Sequence, residues 1–73
     1  GIAYKNKGQN DRAIEDYSKA IAIDPNYALA YSSRGLIYAI LGNMGRAISD
    51  FQKACDLGLE LGCKALEMAL KNR

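Results

Sequence analysis

The sequence contains few side chains whose type and spacing could perform chemistry. It has no histidine, so a histidine triad, a histidine metal site and a histidine general base are all excluded. Glu15 and Asp16 are adjacent carboxylates, but sequence neighbours point away from each other on a helix, which favours a solvated face. Cys55 and Cys63 would supply at most half of a structural zinc site. We therefore expect no catalytic residue, metal or cofactor, and hence no enzyme.

The charged residues are predicted to pair along helix surfaces. Oppositely charged side chains recur at i, i+4 spacing, where an exposed pair contributes about 0.3–0.5 kcal/mol. The predicted pairs are Arg12–Asp16, Glu15–Lys19, Arg46–Asp50 and Glu67–Lys71. The net charge is +2 and the basic residues are spread along the whole chain, so no patch suits a phosphate backbone. Nucleic acid is therefore not an expected partner. A membrane is not expected either, because no apolar run approaches the roughly 20 residues that span a bilayer.

An internal repeat with a period of 34 residues organises the elements that carry these side chains. Shifting the chain by one period aligns identical or similar residues across the whole unit. The aligned pairs are Gly1–Gly35, Tyr4–Tyr38, Gly8–Gly42, Arg12–Arg46, Ala13–Ala47, Ile14–Ile48, Asp16–Asp50, Tyr17–Phe51, Lys19–Lys53, Ala20–Ala54 and Ile23–Leu57. Chance is a poor explanation for a correspondence of this extent.

Each period is predicted to be a helical hairpin. Apolar residues recur at helical spacing, and Gly8-Gln9-Asn10 and Gly42-Asn43-Met44 interrupt them with residues typical of helix ends. Asp24-Pro25-Asn26 separates the next two helices, and Gly58 suits a left-handed helix end. The pattern predicts an all-α chain without strands. The predicted helices are residues 1–7, 11–23, 27–41, 45–57 and 60–72.

These residues resemble the tetratricopeptide repeat signature, W-x2-L-G-x2-Y followed by A-x3-F and P. The matching segments are Tyr31-x2-Arg34-Gly35-x2-Tyr38 and Ala47-x3-Phe51 in the second unit, and Gly1-x2-Tyr4, Ala13-x3-Tyr17 and Pro25 in the first. Tyr31, Arg34 and Leu59 depart from it, standing at the signature tryptophan, leucine and proline. The resemblance implies one domain, residues 1–73, of tandem antiparallel hairpins in a right-handed superhelix. It divides into a truncated first repeat (1–27), a second repeat (28–61) and a C-terminal capping helix (62–73). Since the chain begins inside a repeat, we expect a fragment of a longer protein or a processed product.

The aromatic and small residues are assigned to packing by the same resemblance. Aromatic side chains could stack on single-stranded nucleic acid, but all of them except Tyr27 fall on positions that pack helix against helix. Those positions are Tyr4, Tyr17, Tyr31, Tyr38 and Phe51. The alanines Ala13, Ala20, Ala47 and Ala54 are predicted to be buried where two helices approach closely.

The two cysteines lie in a segment, Ala54 to Cys63, that resembles cysteine-containing Sel-type repeats. That resemblance implies a disulfide between Cys55 and Cys63 that joins one hairpin to the next. The alternative is a pair of buried free thiols, since the first unit has Ile21 and Leu29 at the corresponding places. The compartment is unknown: a cytoplasmic location is favoured, and a secreted or periplasmic one is the alternative if the bridge forms.

The family resemblance implies a protein–protein interaction module. Its concave groove, lined by the first helix of each unit, would bind a peptide or helix of a partner protein. The predicted groove residues are Ile2, Asn6, Leu29, Ser32, Ser33, Leu36, Ala39, Ile40, Leu66 and Leu70. Ser33, Cys63 and Glu67 do not match the clamp by which some members bind chaperone tails, so an amphipathic helix or an extended apolar peptide is the expected ligand.

The alternative function is self-assembly. Copies of the chain would stack or exchange helices through the truncated N-terminal end and form a homo-oligomer. A mass that increases with concentration in the absence of ligand would favour this alternative over the binding module.

Overall fold

The computed structural model describes the backbone of residues 2–72 and the side chains of residues 8–71. This part of the chain forms four helices and no strand. The helices are α1 (Ile2–Ile23), α2 (Ala28–Ile40), α3 (Met44–Asp56) and α4 (Glu60–Asn72). The predicted all-α architecture of tandem helical hairpins is confirmed.

The predicted break at Gly8-Gln9-Asn10 is wrong. One uninterrupted helix runs from Ile2 to Ile23, so the segments predicted as helices 1–7 and 11–23 are joined. A helix of about seven residues is too short to be stable unless it packs closely on a neighbour. By continuing α1 instead, the chain satisfies its backbone hydrogen bonds locally. Gly42, the repeat counterpart of Gly8, does turn the chain, with a φ of 82°.

Two turns of the same design separate the last three helices. Gly42 and Gly58 both have positive φ, 82° and 96°, a backbone conformation that favours glycine. After α2, the N–H of Gly42 donates to Ala39 O at 3.1 Å and that of Asn43 to Tyr38 O at 2.8 Å. The equivalent pair of bonds follows α3. These are Schellman motifs, which satisfy carbonyls that a helix end would otherwise leave unpaired.

The core lies among α2, α3 and α4. It is centred on Ala47, Phe51 and Ala69. The absence of a side chain at Gly35 lets α2 approach α3, since a Cβ there would lie 2.8 Å from Phe51 Cε1. Gly62 does the same for α4, where an added Cβ would lie 2.6 Å from Ala54 Cβ.

The predicted alanine seam is buried in the second unit only. Ala47 and Ala54 are fully buried, each with 0% of its surface exposed. Their counterparts Ala13 and Ala20 are half-buried. The difference arises because α3 is packed between α2 and α4, whereas α1 packs against α2.

Candidate functional site

An apolar cavity of about 220 Å³ opens among the last three helices. We call it the apolar groove. Its lining residues are Leu36 and Ala39 from α2, Met44 and Phe51 from α3, and Ala65, Met68 and Ala69 from α4. Phe51 and Ala69 are buried and form the floor, whereas Leu36 and Met68 have exposed fractions of 57% and 64%. The groove therefore presents large apolar side chains to solvent above a packed base.

Three apolar residues of α2 that were predicted to line the groove extend this surface along the helix. Leu29, Leu36 and Ile40 are spaced i, i+7 and i+11, so they share one face of α2. All three are exposed. An exposed apolar face of this kind normally packs against another element or a binding partner. No element in the described part of the chain covers it.

The structure brings together only some of the predicted groove residues. Leu36 and Ala39 line the groove, and Leu29 and Ile40 are exposed on α2. The remaining predicted residues fall into three groups. Ser32 and Ser33 are half-buried on α2. On α4, Leu66 packs against the core and Leu70 is exposed. The side chains of Ile2 and Asn6 lie outside the described residues.

Five lining residues were not predicted. Met44 and Phe51 come from α3, the second helix of its unit, whereas the predicted groove is lined by the first helix of each unit. Ala65, Met68 and Ala69 are spaced i, i+3 and i+4 on α4, and this helical spacing is the sequence signal that could have identified them. The prediction instead placed Leu66 and Leu70 in the groove, and these residues lie on a different face of α4.

A partly buried ion pair joins α2 to α3, with 20% of the Arg34 side chain and 7% of the Asp50 side chain exposed. Arg34 Nε donates to Asp50 Oδ2 and Arg34 Nη2 donates to Asp50 Oδ1, both at 2.8 Å. Arg34 Nη1 also donates to Ser18 Oγ of α1 at 3.1 Å. Hydrogen bonding to the Asp50 carboxylate raises the pKa of the Arg34 guanidinium. The predicted pairing of Asp50 with Arg46 is therefore wrong, because Asp50 points into the α2–α3 interface, where 5% of its surface is exposed.

The other predicted ion pairs had mixed outcomes. Glu15 pairs with Lys19 at 3.3 Å and Glu67 with Lys71 at 3.9 Å, as predicted. Within the described residues, Arg12 and Asp16 do not form their predicted pair. Both confirmed pairs are largely exposed, so each contributes little to stability.

Cys55 and Cys63 form a disulfide whose Cα atoms are 4.5 Å apart. The bridge joins the last turn of α3 to the first turn of α4, across the turn at Gly58. It is thus one of the contacts that hold α4 beside α3.

The described residues contain no cluster of three or more histidine, cysteine or acidic side chains arranged to hold a metal ion. None of the helices described is both long enough and apolar enough to cross a membrane.

Comparisons with known proteins identify the repeat. A family profile described as "TPR repeat" matches residues 1–42, and one described as "Tetratricopeptide repeat" matches residues 28–57. The chain is 36% identical over 56 residues to Tetratricopeptide repeat protein 14 of Mus musculus, covering 77% of this chain and 7% of that protein. It is 31% identical over 72 residues to Tetratricopeptide repeat protein 6 of Homo sapiens, covering 99% of this chain and 14% of that protein.

A third similar protein is named as an enzyme. It is the UDP-N-acetylglucosamine–peptide N-acetylglucosaminyltransferase of Giardia intestinalis, 35% identical over 57 residues, which cover 78% of this chain and 4% of that protein. In each of the three proteins the chain spans 14% of the length or less.

Proposed function

Because this chain belongs to the tetratricopeptide repeat family, whose repeats generally mediate protein–protein interaction, we propose that its apolar groove binds a segment of a partner protein. The ligand is an amphipathic helix or an extended apolar peptide, since both present apolar side chains at regular spacing.

The observation that carries the proposal is the pair of exposed side chains Leu36 and Met68 above the buried floor of the groove. Fully burying a leucine or methionine side chain contributes about 1.5–3 kcal/mol. Leu29 and Ile40 extend the same face. Because association also costs several kcal/mol in lost freedom, a surface of this size gives modest affinity.

We further propose that the chain binds without catalysis. It has no histidine, and among the described residues the two most buried charges, Arg34 and Asp50, neutralise each other. The transferase relative shares 4% of its length with this chain, so its named activity is not assigned here.

We also propose that the junction from α3 to α4 is of the Sel type. The disulfide between Cys55 and Cys63 supports this, because it joins the second hairpin to the helix that follows. Mass spectrometry with and without reductant, on protein isolated from its native compartment, tests whether the bridge forms there.

Self-assembly is the less favoured alternative. The N-terminal end that would carry it includes residues 1–7, whose side chains lie outside the described residues. It therefore stays a prediction. Sedimentation of the isolated chain at increasing concentration tests it, and a constant monomer mass would exclude it.

The groove proposal is tested with the double substitution Leu36→Glu/Ile40→Glu in this protein. Partner proteins captured by the wild type are identified by mass spectrometry, and their binding to the variant is then measured. We expect capture to be lost while helical content and melting temperature stay nearly unchanged, because both side chains are more than half exposed.

A matched control replaces Ile23 and Leu61 with glutamate. These residues are also exposed, at 85% and 62%, but do not line the groove, so the control changes the charge equally and should retain binding. If the Leu36/Ile40 variant unfolds, these residues belong to the core and the groove assignment is wrong. If it stays folded and still binds, the partner uses another face.

A further inference from the structure

A second cavity, of about 300 Å³, lies between α2 and α3 and shares no residue with the apolar groove. We call it the arginine pocket. Its lining residues are Arg34, Tyr38, Arg46, Ser49 and Asp50. Residues two positions apart lie about 200° apart around a helix, so Arg34 and Leu36 project from opposite sides of α2. The two cavities are therefore separate surfaces.

The single carboxylate of the arginine pocket is already satisfied. Each oxygen of Asp50 accepts a hydrogen bond from Arg34 at 2.8 Å. A guanidinium has five N–H groups, and Arg34 uses three of them, two on Asp50 and one on Ser18. Two N–H groups of Arg34 therefore remain available to donate.

Arg46 adds a second cation to the pocket without a second carboxylate. Its guanidinium carbon lies 5.8 Å from the centre of the Tyr38 ring, and that of Arg34 lies 5.9 Å from the same ring. This ring thus contacts both arginines through cation–π interactions. Arg46 forms no ion pair with any carboxylate in the described part of the chain, whereas exposed lysines on α1 and α4 do.

The hydroxyl groups add to this excess of donors. Ser49 and Tyr38, whose side chains carry hydroxyl groups, also line the pocket. A ligand that only accepts hydrogen bonds and carries negative charge complements such a wall. A neutral or cationic ligand would leave Arg46 without a counter-charge.

We propose that the arginine pocket binds a carboxylate group of a partner protein, which Arg46 holds through its planar fork and Arg34 contacts through its remaining N–H groups. An arginine fork binds a carboxylate with two parallel hydrogen bonds. The carboxylate comes either from an aspartate or glutamate side chain or from the end of a chain, and the experiment separates these sources.

Three N-acetylated peptides serve as probes in a nuclear magnetic resonance titration of the whole chain. N-acetyl-Gly-Glu-Gly-amide carries a side-chain carboxylate, N-acetyl-Gly-Gly-Gly a terminal one, and N-acetyl-Gly-Gln-Gly-amide none. We expect saturable shifts at the Arg46 Nε–H and the Ser49 amide with one or both carboxylate peptides and none with the glutamine peptide. The carboxylate peptide that binds more tightly identifies the source of the carboxylate. Its binding should weaken as salt is added.

Arg46→Gln tests the residue assignment against a matched control, Arg12→Gln. Arg12 is the repeat counterpart of Arg46, is also exposed, and its substitution removes the same charge outside the pocket. We expect Arg46→Gln to weaken carboxylate binding by about tenfold or more, the effect of losing charge-assisted hydrogen bonds, and Arg12→Gln to leave it unchanged. Leu36→Glu should also leave it unchanged, which separates this site from the apolar groove.

Three outcomes would overturn the proposal. The first is an equal loss in the two arginine variants, which would mean that only net charge matters. The second is a response to the glutamine peptide equal to that of the glutamate peptide. The third is binding of inorganic phosphate at lower concentration than either carboxylate peptide, which would make the pocket a phosphate site.

Discussion

Arg34 occupies the position at which the tetratricopeptide repeat signature has leucine. A leucine there would contribute apolar contact alone, whereas Arg34 hydrogen-bonds both oxygens of Asp50 and reaches Ser18 on α1. This one side chain therefore connects three helices. The repeat counterpart of Asp50 is Asp16, which is exposed, so the same residue type has a different role in each unit.

Restoring the signature residue should destabilise this chain. In Arg34→Leu the buried carboxylate of Asp50 would lose its partner, and leaving a buried group unsatisfied in this way costs about 1–3 kcal/mol. The double variant Arg34→Leu/Asp50→Leu removes both charges and should recover most of that loss. Urea denaturation followed by circular dichroism measures both free energies of unfolding.

The control for this prediction is Asp16→Leu, at the exposed repeat counterpart. Substitutions at exposed positions usually change stability by less than about 0.5 kcal/mol. If Arg34→Leu and the double variant lost the same stability, the ion pair would not be the cause. A single variant as stable as the wild type would contradict the prediction outright.

At the level of the elements, local sequence predicted three of the four helices closely. The predicted bounds of α2, α3 and α4 agree with the structure to within one residue, because Gly42 and Gly58 specify their turns through backbone conformation. The continuation of α1 through Gly8 was not predictable in this way. A glycine permits a turn, but whether the chain turns depends on packing that the local sequence does not encode.

Only the part of the candidate site that lies on one helix was predicted from the sequence. Helical spacing placed Leu36 and Ile40 on one exposed face of α2. It could not show that Phe51 of α3 forms the floor or that Met68 of α4 forms the facing wall, since those placements depend on how three helices pack. The i, i+4 rule failed at Asp50 because a partner on another helix replaced the local one.

Alanine substitutions at the two counterpart glycines test the continuous α1. Gly8 is inside a helix, and apart from the adjacent helix backbone no atom of the described residues lies within 4 Å of an added Cβ, so Gly8→Ala should raise the free energy of unfolding by about 0.5–1 kcal/mol. Gly42 has a φ of 82°, and Gly42→Ala should lower it by about 1–2 kcal/mol. Thermal unfolding of both variants gives the comparison. A loss of similar size at Gly8 would show that the first unit turns there in solution.

At the scale of the whole molecule, the groove depends on how firmly α4 is docked. Ala65, Met68 and Ala69 of α4 supply three of its lining residues. Among the described residues, the ion pairs of α4 lie within the helix itself, so apolar packing and one covalent link hold it to α3. That link is the bridge between Cys55 and Cys63.

Removing the bridge should therefore loosen α4 selectively. The bridge closes a loop with a sequence separation of 8 residues, and a loop of this size stabilises the folded state by about 2–3 kcal/mol in the chain-entropy account. Reduction should lower the free energy of unfolding by that amount and should accelerate amide hydrogen exchange in α4 more than in α1, since the constraint acts at the α3–α4 turn. Affinity for a groove ligand should fall as well, because undocked α4 no longer forms one wall.

The variant Cys55→Ala/Cys63→Ala serves as the control, as it should behave like the reduced wild type and not respond to reductant. Unchanged exchange in α4 after reduction would mean that apolar packing at Gly62 and Ala69 alone holds the helix in place.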